Sequence, residues 1–102
     1  AVGTKTRLPN LPNVPTVAEL GQPGFEAVSW GGVLVPANTP KPVIAKLNLE
    51  INRILKMPEV REQFAKTGSE VAGGTADEFG KYIGFETEKW SKVAQIANIK
   101  GE

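Results

Sequence analysis

The 102-residue chain contains no cysteine and no histidine. Without cysteine there can be no disulfide, no thiolate nucleophile and no thiolate metal ligand. Without histidine the chain lacks the commonest general base and the commonest protein metal ligand. The two absences together argue against an enzyme, so we expect no catalytic residue, no metal site and no cofactor.

The chain also lacks an excess of charge of one sign and a long apolar run. Twelve Lys and Arg against 11 Asp and Glu give a net charge of +1, and this balance does not favour binding to nucleic acid. No apolar stretch approaches the ~20 residues that a helix needs to cross a bilayer. With 40% hydrophobic and 23% charged residues, the composition predicts one small folded domain with a modest core.

Three prolines with a spacing of three residues, Pro9, Pro12 and Pro15, stand near the start of the chain. Each removes an amide donor and favours extended backbone in the residue before it, and the spacing matches one turn of polyproline II. The segment is therefore either a structural strap or a ligand for an SH3-like or WW-like domain. The sequence TVAE of Thr16–Glu19 follows it as a capping box and predicts a short helix, which Gly21 would end.

The middle of the chain predicts a strand followed by two helices. Residues 25–36 have the composition of a strand, and the run from Val33 to Val35 indicates burial on both faces. Thr39 is the expected N-cap of the next helix, and Gly68 is the expected end of the helix after it. Residues 69–74 are expected to form a brief strand. Since one long strand cannot make a sheet, the chain pairs with another copy or belongs to a larger α/β protein.

The last predicted helix begins with a second capping box, Thr75–Glu78, and runs to about Asn98. We expect Glu86, beside its apolar stripe, to need a partner such as a lysine or a backbone amide. Lysines four residues after an acidic residue predict ion pairs on exposed helix faces, here Glu62–Lys66, Asp77–Lys81 and Glu88–Lys92. The stripe expected to be buried consists of Phe79, Ile83, Trp90, Val93 and Ala97.

A series of motifs in a fixed order carries a resemblance to a known family. They are Ala1-Val2, Arg7, Leu8 to Glu19, Gly21 to Phe25, Trp30-Gly31, Pro36 to Pro40, and Glu86 to Trp90. In this order they resemble the C-terminal third of the Bug family, the extracytoplasmic solute receptors of tripartite tricarboxylate transporters. The resemblance extends over essentially the whole chain, so it is more specific than any single motif.

The resemblance implies a fold class: α/β, part of a type II periplasmic-binding-protein fold with two lobes, with a short mixed sheet and helices. It implies that residues 1–28 end the second lobe, with the proline strap and the hinge crossing. Residues 29–102 would form the C-terminal part of the first lobe. On this interpretation the strap is structural, and the chain is a fragment of a longer receptor.

The resemblance also implies a function. The receptor would capture a small organic anion in the periplasm and deliver it to membrane permease subunits. The expected ligand is a di- or tricarboxylate, an acidic amino acid or an aromatic acid, and the fragment alone is expected to bind it weakly or not at all. The alternative is an interaction module that uses the strap or an exposed sheet edge, with a homodimer as one possibility.

Three residues are candidates for ligand binding: Trp30, Phe25 and Thr16. The position of Trp30 at the implied lobe crossing favours a contact with ligand, because binding sites often lie between domains. Each candidate also has a structural explanation. Aromatic side chains commonly pack in cores, and the capping box already accounts for Thr16.

Overall fold

A computed structural model describes residues 1–101, and it contains three helices. They are α1, Lys41–Leu55; α2, Pro58–Lys66; and α3, Ala76–Ile96. The chain divides into two compact units, Ala1–Leu34 and a second unit that begins at Val35. All three helices lie in the second unit, where α1 contacts both α2 and α3. The assignment of residues 1–28 and 29–102 to two lobes stays a prediction.

The first unit is built around the extended residues Val2 and Gly3. The amide of Val2 donates to the carbonyl of Pro15 at 2.9 Å, and its carbonyl accepts from the amide of Val17 at 3.0 Å. These bonds form a parallel bridge between Val2 and Thr16, the one bridge recorded among the described residues. The predicted mixed sheet is therefore not confirmed in this chain, because the regular elements of its described part are helices.

Gly3 allows the close approach of a third segment in this unit. Its carbonyl accepts from the amide of Ala27 at 2.9 Å. A Cβ at position 3 would lie 2.5 Å from the Ala27 carbonyl oxygen, which is far inside van der Waals contact. The missing side chain of Gly3 thus lets the backbone of residue 27 approach that of residue 3.

The short helix predicted after Thr16 is absent, and the prediction was wrong at this point. Residues 17–21 form consecutive turns, in which the amide of Leu20 bonds to Val17 and that of Gly21 to Ala18. Gly21 has a φ of +113°, which is incompatible with helix continuation. Pro23, two residues later, supplies no amide donor.

The strand predicted at residues 25–36 is not present either, and the expected burial of its apolar run is contradicted. The side chains of Val33 and Leu34 are 66% and 75% exposed. A strand forms where a neighbouring segment accepts its backbone hydrogen bonds, and β propensity alone does not supply one. Among the described residues Ala27 makes one such bond, to Gly3, and residues 31–35 make none.

Three of the four predicted helices are present at about the predicted positions, but two of their ends differ from prediction. The Thr39 hydroxyl donates to the carbonyl of Pro36 at 2.6 Å and does not cap α1, whose N-cap is Pro40. The C-terminal end of α2 is as predicted, because Gly68 adopts a φ of +76°. Thr75 caps α3 by accepting from the amide of Glu78 at 3.1 Å, as predicted, and α3 ends at Ile96.

The turn before α3 contains Gly73 and Gly74 and not the predicted brief strand. Both glycines have positive φ, +76° and +123°, a region that side-chain-bearing residues rarely adopt. Asn48 and Asn52 on α1 hold this turn by hydrogen bonds to Gly74. The turn therefore connects the start of α3 to the middle of α1.

A packed apolar core is missing from the described residues. No hydrophobic side chain among residues 1–101 is buried, and the buried residues are Thr16 and Glu86. In the stripe predicted to be buried on α3, Phe79 and Ile83 are partly buried, whereas Trp90, Val93 and Ala97 are exposed. Hydrogen bonds and ion pairs therefore hold much of the described chain in its conformation.

Candidate functional site

The three residues predicted to bind ligand all lie in the first unit, Ala1–Leu34. Phe25 and Trp30 are exposed, the latter by 44%, whereas Thr16 is only 1% exposed. Two aromatic side chains of this unit could therefore contact a ligand as they stand. The Thr16 side chain could not, because neighbouring residues bury it. Their role in binding stays a prediction.

Thr16 is held by a complete reciprocal capping box, although no helix follows it. Its hydroxyl oxygen accepts from the amide of Glu19 at 3.1 Å, and its own amide donates to Oε2 of Glu19 at 2.7 Å. The capping box predicted from the sequence is therefore confirmed in its bonds. The two residues fix the backbone where the strap ends and the turn begins.

Arg7 closes the proline segment from the other end. Its Nε lies 3.0 Å from each carboxylate oxygen of Glu19, and its Nη1 donates to the carbonyl of Pro12 at 3.1 Å. One guanidinium therefore joins the middle of the strap to the turn that follows it. The segment from residue 7 to residue 19 is a closed loop, as a structural strap requires.

The sequence pattern does not reveal this ion pair. In the sequence, Arg7 is singled out only as one residue of the family motif. A contact between residues 12 positions apart cannot be predicted from helical or strand spacing. The sequence offered only an arginine before the prolines and a carboxylate after them, and this arrangement does not specify that the two side chains meet.

The electrostatics of Glu19 follow from these contacts. The hydrogen bond from Arg7 and the hydrogen bond from the Thr16 amide lower the pKa of Glu19. The same contact with Glu19 raises the pKa of Arg7. Both side chains are about half-exposed, so solvent screens the pair and its main effect is on geometry.

In the second unit the buried Glu86 has a partner on its own helix. The indole Nε1 of Trp90 donates to Oε2 of Glu86 at 2.7 Å, and Glu86 is 4% exposed. The expected need for a partner is confirmed, but the partner shown is an indole and not a lysine or a backbone amide. The ammonium group of Lys89 lies 5.3 Å from the centroid of the Trp90 ring, at cation–π distance.

The remaining surface of the described residues offers little for chemistry. No group of three or more acidic residues among residues 1–101 is placed to hold a metal ion. None of the described helices has the length and apolarity needed to cross a membrane. A shallow depression of about 320 Å³ on α3 is lined by Phe85, Glu88, Lys89 and Lys92, and it is open to solvent.

Comparison with protein families gives a match along nearly the whole chain. The family model described as tripartite tricarboxylate transporter family receptor matches residues 1–99. The match covers both compact units and therefore both the strap and the three helices.

Two curated relatives are similar in sequence. The UPF0065 protein in the tcbD-tcbE intergenic region of Pseudomonas sp. (strain P51) is 43% identical over 88 residues, 85% of this chain and 26% of that protein. Protein BugT of Bordetella pertussis is 35% identical over 100 residues, 98% of this chain and 31% of that protein. The chain thus spans about a quarter to a third of the length of these relatives.

A solved structure has the same backbone arrangement. The structure of R. palustris Rpa4515 with adipate matches 96% of this chain and 33% of its own chain, with a TM-score of 0.81 and 34% sequence identity. The matched region is thus about a third of that longer chain.

Proposed function

Since this chain belongs to the tripartite tricarboxylate transporter receptor family, we propose that it forms the C-terminal part of an extracytoplasmic solute receptor. This is a family of solute-binding receptors, not of enzymes. The receptor captures a small organic carboxylate in the periplasm and delivers it to a membrane permease. The observation that carries the proposal is the family match over residues 1–99, and the structural similarity agrees with it.

In this proposal the chain contributes to two lobes that close on the ligand by a hinge motion. Residues 1–28 end the second lobe and residues 29–102 belong to the first lobe, with the crossing near Ser29 and Trp30. The boundary between the compact units after Leu34 supports a crossing in this part of the chain. The closed loop formed by Arg7 and Glu19 keeps the strap rigid beside it.

The proposed ligand is a dicarboxylate or a related small organic anion. Adipate, the compound named with the structural relative Rpa4515, supports this class for that family member. The exposed rings of Phe25 and Trp30 suit the apolar carbon skeleton of such a ligand. Backbone amides and helix N-termini elsewhere in the receptor would bind its carboxylate groups.

In this proposal Thr16 fixes the backbone at the start of the turn and does not contact the ligand. Because its side chain is enclosed and its hydroxyl oxygen accepts from Glu19, any contact with ligand needs the turn at residues 17–21 to open. The structural role of Thr16 in the capping box is already sufficient to explain the residue.

Calorimetric titration tests the proposal. The isolated 102-residue chain should show no sub-micromolar binding to adipate, citrate, glutamate or nicotinate, because most of the receptor is absent from it. The complete parent polypeptide should bind at least one of them with sub-micromolar affinity. Tight saturable binding by the isolated chain, or no binding by the complete polypeptide to any organic acid of this panel, would contradict the proposal.

A matched pair of variants in the complete polypeptide tests the site. Trp30→Ala should weaken binding of whichever acid is bound by at least about tenfold, the effect expected when a large aromatic contact is removed. Leu20→Ala removes another exposed apolar side chain of the same unit and should leave the affinity unchanged. Equal effects of the two substitutions would remove Trp30 from the site.

The alternative function, a proline-rich ligand for a recognition domain, has no observation in its favour. The basic residue beside the prolines is Arg7. It is ion-paired with Glu19 and donates a hydrogen bond to the carbonyl of Pro12. A partner would have to break these contacts before it could bind the strap.

A further inference from the structure

The Arg7–Glu19 pair is connected to the segment that carries both proposed ligand-contacting rings. This ring-bearing segment, residues 25–30, begins with Phe25 and ends with Trp30. The pair and the segment belong to the same compact unit, Ala1–Leu34. The connection consists of contacts within this unit, so it does not depend on which parts of the surface are exposed.

The first step of the connection runs from Arg7 to the backbone of Thr16. The guanidinium Nε lies 3.0 Å from each carboxylate oxygen of Glu19, and Oε2 of Glu19 also accepts from the Thr16 amide at 2.7 Å. The Nη1 of Arg7 donates to the carbonyl of Pro12 as well, which fixes the orientation of the guanidinium. Arg7 therefore orients the carboxylate that holds the Thr16 amide.

The second step runs from the backbone around Thr16 to Val2. The Val2 amide donates to the carbonyl of Pro15 at 2.9 Å, and the Val2 carbonyl accepts from the amide of Val17 at 3.0 Å. Bonds to the residues before and after Thr16 set both the position and the direction of the Val2 backbone. A shift of Thr16 therefore shifts Val2, and with it Gly3, the next residue.

The third step runs from Gly3 to the ring-bearing segment. The Gly3 carbonyl accepts from the amide of Ala27 at 2.9 Å. A Cβ at position 3 would lie 2.5 Å from the Ala27 carbonyl oxygen and 3.8 Å from Cε1 of Phe25. The backbone of Ala27 and the ring of Phe25 thus lie next to Gly3, and Trp30 follows Ala27 by three residues.

We propose that Arg7 is a positioning residue of the ligand site and acts on the rings of Phe25 and Trp30. The effect passes through Glu19 and the hydrogen-bonded backbone described above, so Arg7 does not need to touch the ligand. This role rests on the proposed function, because it requires the two rings to contact the bound acid. A ring held in its binding position favours affinity, since a ring that must be ordered on binding adds an entropic cost.

Calorimetric titration of the complete parent polypeptide tests this role with a matched pair of arginines. Arg7→Gln should raise the dissociation constant of the bound acid by at least about fivefold, the loss expected when one or two side chains must be ordered on binding. Arg53 also bonds a carboxylate, since its Nε and Nη2 lie 3.0 and 2.9 Å from Oε2 of Glu50. It belongs to the other compact unit, which begins at Val35. Arg53→Gln should therefore leave the affinity unchanged.

A double-mutant cycle separates positioning of the ring from a general loosening of the unit. Phe25→Ala removes the ring that lies next to Gly3. In this background Arg7→Gln should weaken binding by a smaller factor than in the wild type, because part of its effect passes through the missing ring. The same factor in both backgrounds would show that Arg7 does not act through Phe25 and would contradict the proposal.

Hydrogen exchange of the complete polypeptide without ligand tests the connection itself. The amide of Ala27, which donates to Gly3, should lose protection in Arg7→Gln and keep it in Arg53→Gln. Unchanged protection of this amide in Arg7→Gln would overturn the proposal. Wild-type affinity of Arg7→Gln would overturn it too and would leave the proposed function standing. A wild-type polypeptide that binds no acid of the panel would instead contradict the proposed function, and this role of Arg7 with it.

Discussion

The side-chain amide of Asn52 pairs with the backbone of Gly74 in the way that one strand residue pairs with another. Its Oδ1 accepts from the Gly74 amide at 2.8 Å, and its Nδ2 donates to the Gly74 carbonyl at 2.9 Å. Asn48, one helical turn earlier, donates to the same carbonyl at 3.0 Å. With no buried apolar side chain among the described residues, these bonds are a principal link between α1 and the start of α3.

Replacing Asn52 should therefore destabilise the second unit more than replacing Asn48. Asn52→Ala removes both bonds to Gly74 and should lower the free energy of unfolding by about 2 kcal/mol, at ~1 kcal/mol per net hydrogen bond. Asn48→Ala removes one and should cost about half as much. Urea unfolding followed by helical circular dichroism measures both. If the two substitutions lower the free energy of unfolding equally, the second hydrogen bond of Asn52 to Gly74 adds no stability.

Two glycine substitutions should have opposite effects on the same unit. Gly73 has a φ of +76°, and a Cβ there would lie 2.6 Å from Oδ1 of Asn52, so Gly73→Ala should cost at least about 1 kcal/mol through strain and a broken contact. Gly80 lies inside α3, and a Cβ added there would meet no other atom within 4 Å beyond its own helical surroundings. Gly80→Ala should therefore stabilise by about 1 kcal/mol through helix propensity. The midpoint temperature of thermal unfolding should fall for Gly73→Ala and rise for Gly80→Ala. A shift of both midpoints in the same direction would contradict this account.

The features that the sequence could predict are those set by neighbours within four residues. The reciprocal capping box of Thr16 and Glu19, the hydroxyl cap of Thr75, the end of α2 at Gly68 and the ion pairs Glu62–Lys66 and Glu88–Lys92 are of this kind, and the structure contains them. The second bond of the capping box predicted at Thr75–Glu78, from the Thr75 amide to the Glu78 carboxylate, is not among the recorded bonds of the described residues. The expected Asp77–Lys81 pair is not among the recorded ion pairs of the described residues. Local spacing thus predicts which side chains can meet, and competing contacts decide whether they do.

The features that the sequence could not predict depend on contacts between distant residues. Arg7 meets Glu19 across 12 positions, and Asn52 meets Gly74 across 22. The same limit explains the strand predicted at residues 25–36, because its pattern shows a preference for pairing but not whether a partner segment is present. The proposed ligand site at Trp30 and Phe25 has the same limit, because spacing in the sequence does not show which distant residues would join these two rings at a ligand.

The Arg7–Glu19 pair should make the strap sensitive to acid. Because its contacts lower the pKa of Glu19, the pair stabilises the fold fully above the ordinary carboxyl pKa. This contribution is lost as the pH falls through the lowered pKa of Glu19, where the carboxylate takes up a proton. Exchange protection of the Thr16 amide, which donates to Glu19, should fall over the same pH range after correction for intrinsic exchange.

Glu19→Gln and Arg7→Gln separate the charge from the hydrogen bonds. The Glu19→Gln variant should show no pH step in Thr16 protection over the acid range, since its side chain does not titrate. Arg7→Gln should move the step to higher pH, because the cationic partner that lowers the pKa of Glu19 is gone. A step that stays in place in both variants would assign it to another carboxyl group.

The bond between Trp90 and Glu86 should matter more than the exposure of the indole suggests. Trp90→Phe keeps most of the aromatic surface but removes the Nε1 donor that lies 2.7 Å from the buried carboxylate. We expect a loss of about 2 kcal/mol in the free energy of unfolding, within the range for depriving a buried charged acceptor of its donor. Phe85→Leu, at an aromatic side chain of the same helix that is 64% exposed, is the control and should cost less than about 1 kcal/mol, as surface substitutions usually do. Combining Trp90→Phe with Glu86→Leu should recover part of the loss, because an apolar side chain then replaces the unpartnered carboxylate. No recovery in the double variant would show that packing of the indole, and not its hydrogen bond, is what holds this part of α3.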